Sequence, residues 1–271
     1  MTSMLREIWI FFRRDLYIAL TYRTAFLFEA IEALFGVAML FYVARFVESP
    51  QLHHSLPHGE TYFSFSLIGF VFLDYLNAAM DSFDRSLMEA RDSGTLEHLL
   101  VTQTSLPVIL AGSAIYPFVA STVRIAVYLS WGAVLFGFPL GEANWAAVLL
   151  VLIATLLAFS GLGILSASYL LLFKRGNPAK WFFLGLSSLV GGMLFPISVL
   201  PDWLQLVARL NPVTYALDAM RAALLVGDGF HTVWRPLVVL LLFAAILLPI
   251  SVAVFARSLR RTKMTGTLMH R

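Results

Sequence analysis

Four ionisable residues stand inside long apolar stretches of this 271-residue chain: Glu29 and Glu32 one turn apart, then Asp74 and Arg124. A charge within a hydrocarbon layer is costly, so each is a candidate for a proton or cation path. The competing interpretation is an interhelical pair, Arg124 with Asp74 or a glutamate, that holds a helix bundle together. Structural pairing is favoured, because membrane ionisables usually pair, and because no two Gly/Pro-interrupted spans of the kind common in coupled secondary transporters are recognised. Other chemistries find little footing. The chain has no cysteine, which excludes disulfides and thiolate metal sites. The three lysines are followed by Arg175, Trp181 and Met264, so no phosphate-cradling Gly-Lys-Ser/Thr loop exists. His53, His54 and His58 cluster in a proline-interrupted polar stretch that suggests no preorganised metal geometry. No nucleophile and base fall at matched depth, so an intramembrane enzyme has little support.

The elements that must position these residues follow from hydropathy. The composition is 59% hydrophobic and only 13% charged, against about 25% charged in soluble domains. Runs near the 20 or so apolar residues needed to cross a bilayer as helix occur at 25–46, 62–80, 108–137, 145–173, 181–200 and 233–256. Short period-two segments typical of membrane barrels are absent from the pattern. The expected fold is an all-α polytopic membrane protein of six spans in one transmembrane domain over 1–271. The start, "MTSMLREIWIFFRRDLYIAL", shows no apolar core with a cleavage site. Over residues 4–20 it places Leu5, Ile8, Trp9, Phe12, Leu16 and Ala19 on one face and Arg6, Arg13 and Arg14 on another, which predicts an interfacial amphipathic helix within 1–24.

Lysine and arginine set the orientation. With the N-terminus inside, fourteen of the 19 basic residues fall on the cytoplasmic side, and only Arg45, Arg209, Arg221 and Arg235 fall outside. Both termini are therefore expected in the cytoplasm. The net charge of +3 is accounted for by topology and anionic headgroups, without a nucleic-acid partner.

Two connections carry content. Outside, in 201–227, Asp202 after Pro201 and Asn211 before Pro212 read as caps of two short helices. The second helix would carry Val213, Ala216, Leu217, Met220 and Leu224 on one face, with Asp218 and Arg221 able to pair at i,i+3. Ser187 with Gly191, and Ser188 with Gly192, have the small-xxx-small spacing of close helix packing. Inside, "EARDSGTLEHLLVTQTSLP" offers Ser93 as a cap, Glu97 near the positive end and Leu96, Leu99 and Leu100 as an apolar face. A cytoplasmic amphipathic helix over 89–104 is predicted.

Two strings resemble a known family. "SGTLEHLLVTQTSLPVILAG" looks like the segment of bacterial ABC type-2 permeases in which a Gly-Thr-Leu-Glu run precedes leucines and the next span, although Gln103 stands at the usual proline position. "FPISVLPDWLQLVARLNPVTYALDAMRAAL" resembles that family's pattern near the fifth span. The resemblance implies a permease subunit of an ATP-driven exporter in the bacterial cytoplasmic membrane, pairing with itself, with membrane lipids around it and two ATPase subunits below. ATP and Mg would bind those partners, with no cofactor on this chain. The inner helix would be the coupling helix, with Glu89, Arg91, Gly94, Thr95, Leu96 and Glu97 contacting the ATPase. Phe35, Met39, Phe70, Leu73, Leu189 and Met193 would line the path of a hydrophobic or amphipathic substrate: a drug, a lipid or a lipid-linked glycan. The rival function is an ion-coupled secondary transporter using Glu29, Glu32 or Asp74.

Overall fold

The computed structural model describes residues 2–47, 56, 60–92, 106–141, 143–173, 178–227 and 230–264. Among these the secondary structure is helical: α1 (Thr2–Thr21), α2 (Arg23–Val47), α3 (Tyr62–Asp92), α4 (Leu106–Phe136), α5 (Trp145–Phe173), α6 (Pro178–Val190), a 3-10 turn (Ile197–Val199), α7 (Asp202–Leu210), α8 (Pro212–Arg221), a π turn (Ala222–Val226) and α9 (Phe230–Met264). Five of these, α2, α3, α4, α5 and α9, are long and apolar enough to cross a membrane.

Such helices keep their backbone groups bonded internally, which is what a bilayer requires. Their hydroxyls follow the same rule: Ser121 donates to Pro117 O, Thr122 to Phe118 O, and Ser168 to Ile164 O. Pro117 in α4 and Pro236 and Pro249 in α9 sit inside helices, a placement that membrane helices tolerate when neighbours re-satisfy the freed carbonyls.

Packing centres on α3 and α5. α5 packs most extensively on α9 and also on α3, while α3 packs on α4. Small residues make the approaches close. Gly161 of α5 meets Leu247 of α9, and Gly163 meets Ala79 and Phe83 of α3, consistent with helices associating through small residues in lipid. Phe41, Phe63 and Phe136 join α2, α3 and α4 in an aromatic cluster with centroids 4.8 to 6.1 Å apart.

Several sequence-based expectations change. α1 lies against α4 through Phe11, which abuts Gly112, and Phe12, whose ring is 6.5 Å from Tyr116. Trp9, on the expected apolar face, is 60% exposed to the surroundings of the bundle. The stripe covered by α4 runs through Ile8, Phe11, Phe12, Asp15, Leu16 and Ala19. α3 runs on past residue 80, where the apolar run ends, to Asp92. The expected fifth span, 181–200, is broken. α6 has 13 residues, roughly 20 Å at 1.5 Å per residue, which falls short of the roughly 30 Å hydrocarbon layer. Gly192 ends it at φ +77, left-handed backbone that glycine adopts readily, and Pro196 follows in extended conformation. Asp202 is the first residue of α7 rather than its cap, which is Pro201 with no side-chain bond. Asn211 does cap α8, accepting from the Val213 N–H at 3.1 Å, with Pro212 in the first turn.

Candidate functional site

The polar groups of the bundle gather at three depths, and each gathering joins elements distant in sequence.

At one end of the bundle, the break after α6 is held by Arg221. This residue closes α8, and it is 2% exposed. Its Nη2 donates to Gly192 O at 2.8 Å and to Phe65 O at 3.1 Å, with Met193 O at 3.4 Å. The guanidinium carbon lies 3.5 Å above the centroid of the Phe65 ring. A cation at the carbonyl end of a half-helix is favourable twice over, through hydrogen bonds to orphaned carbonyls and through the helix dipole. The Arg221 guanidinium turns inward to these carbonyls, and Asp218, its expected i,i+3 partner, acts on it electrostatically. Asn211 adds a second tie, donating to the Ser187 hydroxyl at 3.0 Å. Ser187 and Gly191 therefore finish α6 and admit Val213 of α8 rather than extending a long packing stripe.

Gly69 of α3 faces this break so closely that a Cβ there would overlap the Met193 carbonyl. Tyr62 donates to Leu194 O at 2.9 Å. Glu60 lies beside them, 8% exposed, with neither carboxylate oxygen hydrogen-bonded among the described residues. Burial pushes its carboxyl up to about 7, with Arg221 acting to lower it and Asp218 to raise it. Burial also pushes Arg221 down to about 10, opposed by Glu60 and then Asp218, so the guanidinium stays charged at neutral pH.

Midway, Arg124 of α4 meets Asp74 of α3 at 3.4 Å, both half-buried. Trp131 donates to Ala30 O of α2 at 3.2 Å, and Tyr128 packs edge-on against Phe70 at 5.5 Å. Glu29 and Glu32 are not brought into this pair. Both are exposed on α2.

At the opposite end of α6, Asp81 and Asp84 of α3 face Lys180. Lys180 pairs with Asp81 and lies 3.7 Å from Asp84 Oδ2. Ser166 of α5 donates to Asp84 at 2.7 Å, and Arg85 lies 3.6 Å from Asp81. None of these was singled out as a site from sequence. The available signal was two aspartates three residues apart at the end of one apolar run and a lysine at the start of another.

Of the expected path residues, Phe35, Met39 and Leu189 are 69%, 71% and 60% exposed on the outer surface of the bundle. Phe70 and Leu73 are half-buried, and Met193 is 1% exposed beneath α3. Of the expected ATPase contacts, the backbone of Glu89 and Arg91 forms the last turn of α3. Gly94, Thr95, Leu96 and Glu97 lie outside the described residues, as do His53, His54 and His58. Among the described residues no cluster of His, Asp or Glu has metal-binding geometry.

These features define an all-helical, polytopic membrane protein in which a short apolar helix ends at a buried arginine. The sequence pattern of the ABC-2 type transporter family matches residues 2–225, and the chain belongs to that family. Its relatives include the inner membrane transport permease YadH of Escherichia coli K12, 26% identical over 167 residues, which are 60% of this chain and 63% of that protein. The probable multidrug ABC transporter permease YbhR of the same organism is 24% identical over 64% of this chain and 46% of its own length. The linearmycin resistance permease protein LnrN of Bacillus subtilis 168 is 28% identical over 67% of this chain and 45% of its own length. The match thus spans between about half and two thirds of these relatives.

Proposed function

We propose that the chain is the membrane-spanning subunit of an ATP-driven exporter, working as a pair of such subunits on two separate ATPase subunits. Its cargo is a hydrophobic or amphipathic molecule. α3 carries this reading. It is a 31-residue helix, about 46 Å long at 1.5 Å per residue, and so outruns a hydrocarbon layer of roughly 30 Å. Its last turns hold Asp81, Asp84, Arg85, Glu89, Arg91 and Asp92, charges that belong in water or headgroups. They lead straight into the Gly94-Thr95-Leu96-Glu97 string, so a push on that string is delivered to the centre of the bundle.

In this scheme the segment 89–104 seats on the ATPase through Glu89, Arg91, Gly94, Thr95, Leu96 and Glu97. The termini are cytoplasmic, α6 with the following break serves as the fifth of six spans, and the exposed faces of α2 and α6 meet the second subunit. Phe35, Met39 and Leu189 on those faces would border the path. The relatives named for multidrug transport and for linearmycin resistance support an apolar or amphipathic cargo.

The test is reconstitution in liposomes with and without an ATPase subunit encoded alongside. Complex formation, with ATP hydrolysis lost on Gly94→Trp or Glu97→Lys in correctly inserted protein, supports the proposal. Gradient-driven transport by the permease alone, abolished by Asp74→Asn, would replace it with the ion-coupled alternative.

A further inference from the structure

α6 is fastened at its two ends by different chemistry. At the inner end, Lys180 in its first turn engages Asp81 and Asp84 of α3. The Lys180 side chain is 15% exposed and that of Asp84 12%, so these charges are shielded from much of the screening that weakens surface pairs. Asp81 and Asp84 stand one turn apart on one face of α3. The Ser166 bond to Asp84 fixes that face against α5. At the outer end, Arg221 holds the carbonyls of Gly192 and Met193, and Asn211 holds Ser187. Between these fastenings α6 leaves much of its side uncovered by the rest of the chain, with Trp181 78%, Phe182 72% and Leu189 60% exposed. A 13-residue helix with so much open surface has little apolar packing to hold it to α3, and its ends decide where it goes.

We propose that Lys180 is a positioning residue that locks the inner end of α6 to α3. Displacement of the cytoplasmic end of α3 is then carried by α6 to the Gly192–Met193 break at the outer side. The lysine acts through the two aspartates and touches no cargo. Its removal takes away the attraction that ties the two helices, leaving Asp81 to Arg85 and Asp84 to Ser166 on the α3 side, and so releases the end of α6. This inference rests on the reading that the segment following α3 is pushed by an ATPase, but the lock itself does not.

The natural absence of cysteine makes the test clean. Nitroxide labels on Met88→Cys of α3 and Phe182→Cys of α6, both at exposed positions, report the separation of the two helices by pulsed electron paramagnetic resonance. The doubly labelled full chain, diluted with unlabelled chain so that only distances within one subunit are read, is studied in lipid nanodiscs, alone and assembled with its ATPase subunit trapped by ATP, Mg and vanadate. With Lys180 present, one narrow distance distribution is expected in every state. Lys180→Met should broaden or shift it by about 5 Å, one helical turn, already in the permease alone. Lys180→Arg, which keeps the cation, should restore the narrow distribution. A narrow distribution in Lys180→Met, or a broad one in Lys180→Arg, would overturn the lock. In the complex, a second pair joining Phe182→Cys to Leu210→Cys on α7 should change on trapping with Lys180 present and stay fixed in Lys180→Met. Should the label pairs on the permease alone behave as expected while no ATPase complex forms, the lock stands and the ATP-driven reading falls with the transmission step.

Discussion

Replacing Arg221 by methionine keeps much of the side-chain volume and removes the cation, so it isolates the polar clamp at the broken span. The residue is 2% exposed and donates at 2.8 Å to Gly192 O and 3.1 Å to Phe65 O. Phe65 lies within α3, whereas Gly192 and Met193 lie past the end of α6 and depend on an outside donor. Leaving a buried acceptor unsatisfied costs about 1–3 kcal/mol, and two of them therefore cost about 2–6 kcal/mol. Loss of the stacking on Phe65 adds up to about 2 kcal/mol for a desolvated cation–π contact. Against this, the variant no longer buries a guanidinium, a relief of several kcal/mol. The net expectation is destabilisation by about 3 kcal/mol. At roughly 2–4 °C per kcal/mol for a chain of this size, the apparent Tm in detergent should fall by roughly 6–12 °C. Lysine should restore only part of this, since an ammonium lacks the planar guanidinium that stacks on Phe65. The assay is thermal unfolding followed by monodispersity on size exclusion, with proteolysis between α6 and α7 as a second readout. An Arg221→Met protein with a Tm within 2 °C of the unmutated chain would refute the clamp.

Glu60 gives a pH signature. Its carboxyl is held at about 7 against a reference of 4.5, so its contribution to stability is fully present below 4.5 and is lost as pH rises through about 7. Glu60→Gln should flatten the fall in Tm between pH 5 and 8. Gly69→Ala places a methyl against the Met193 carbonyl and should destabilise by about 1–3 kcal/mol through overpacking, whereas Gly185→Ala, which meets open space, should stabilise α6 by about 0.5–1 kcal/mol. Arg124→Met should lower expression and Tm by leaving Asp74 half-buried without its partner. The double variant Arg124→Met with Asp74→Asn should lose less than the sum of the single changes, the mark of a coupled pair in a double-mutant cycle.

Much of the architecture was legible in the sequence because the bilayer supplies an external ruler. Length and hydropathy alone mark the segments that became α2, α3, α4, α5 and α9, and turn chemistry places α8, where Asn211 and Pro212 act locally. The break within 181–200 was less legible. Its apolar residues read as one span, and the glycines at 191 and 192 read as packing surface. Only the observed φ at Gly192, with the approach of α3 through Gly69, turns them into a helix terminus.

The sequence by itself thus determined an all-helical membrane protein, its family resemblance, and the short list of charges that a hydrocarbon layer makes expensive. These are one-dimensional properties, fixed by composition and local spacing. The tertiary structure decided which charges meet: Arg124 with Asp74, Lys180 with Asp81 and Asp84, and Arg221 with the carbonyls of the broken span. The backbone partners of Arg221 lie 28 to 156 residues from it along the chain. Whether they share a depth depends on which helices pack side by side, and that is settled by small residues and aromatic contacts whose fit exists only in three dimensions.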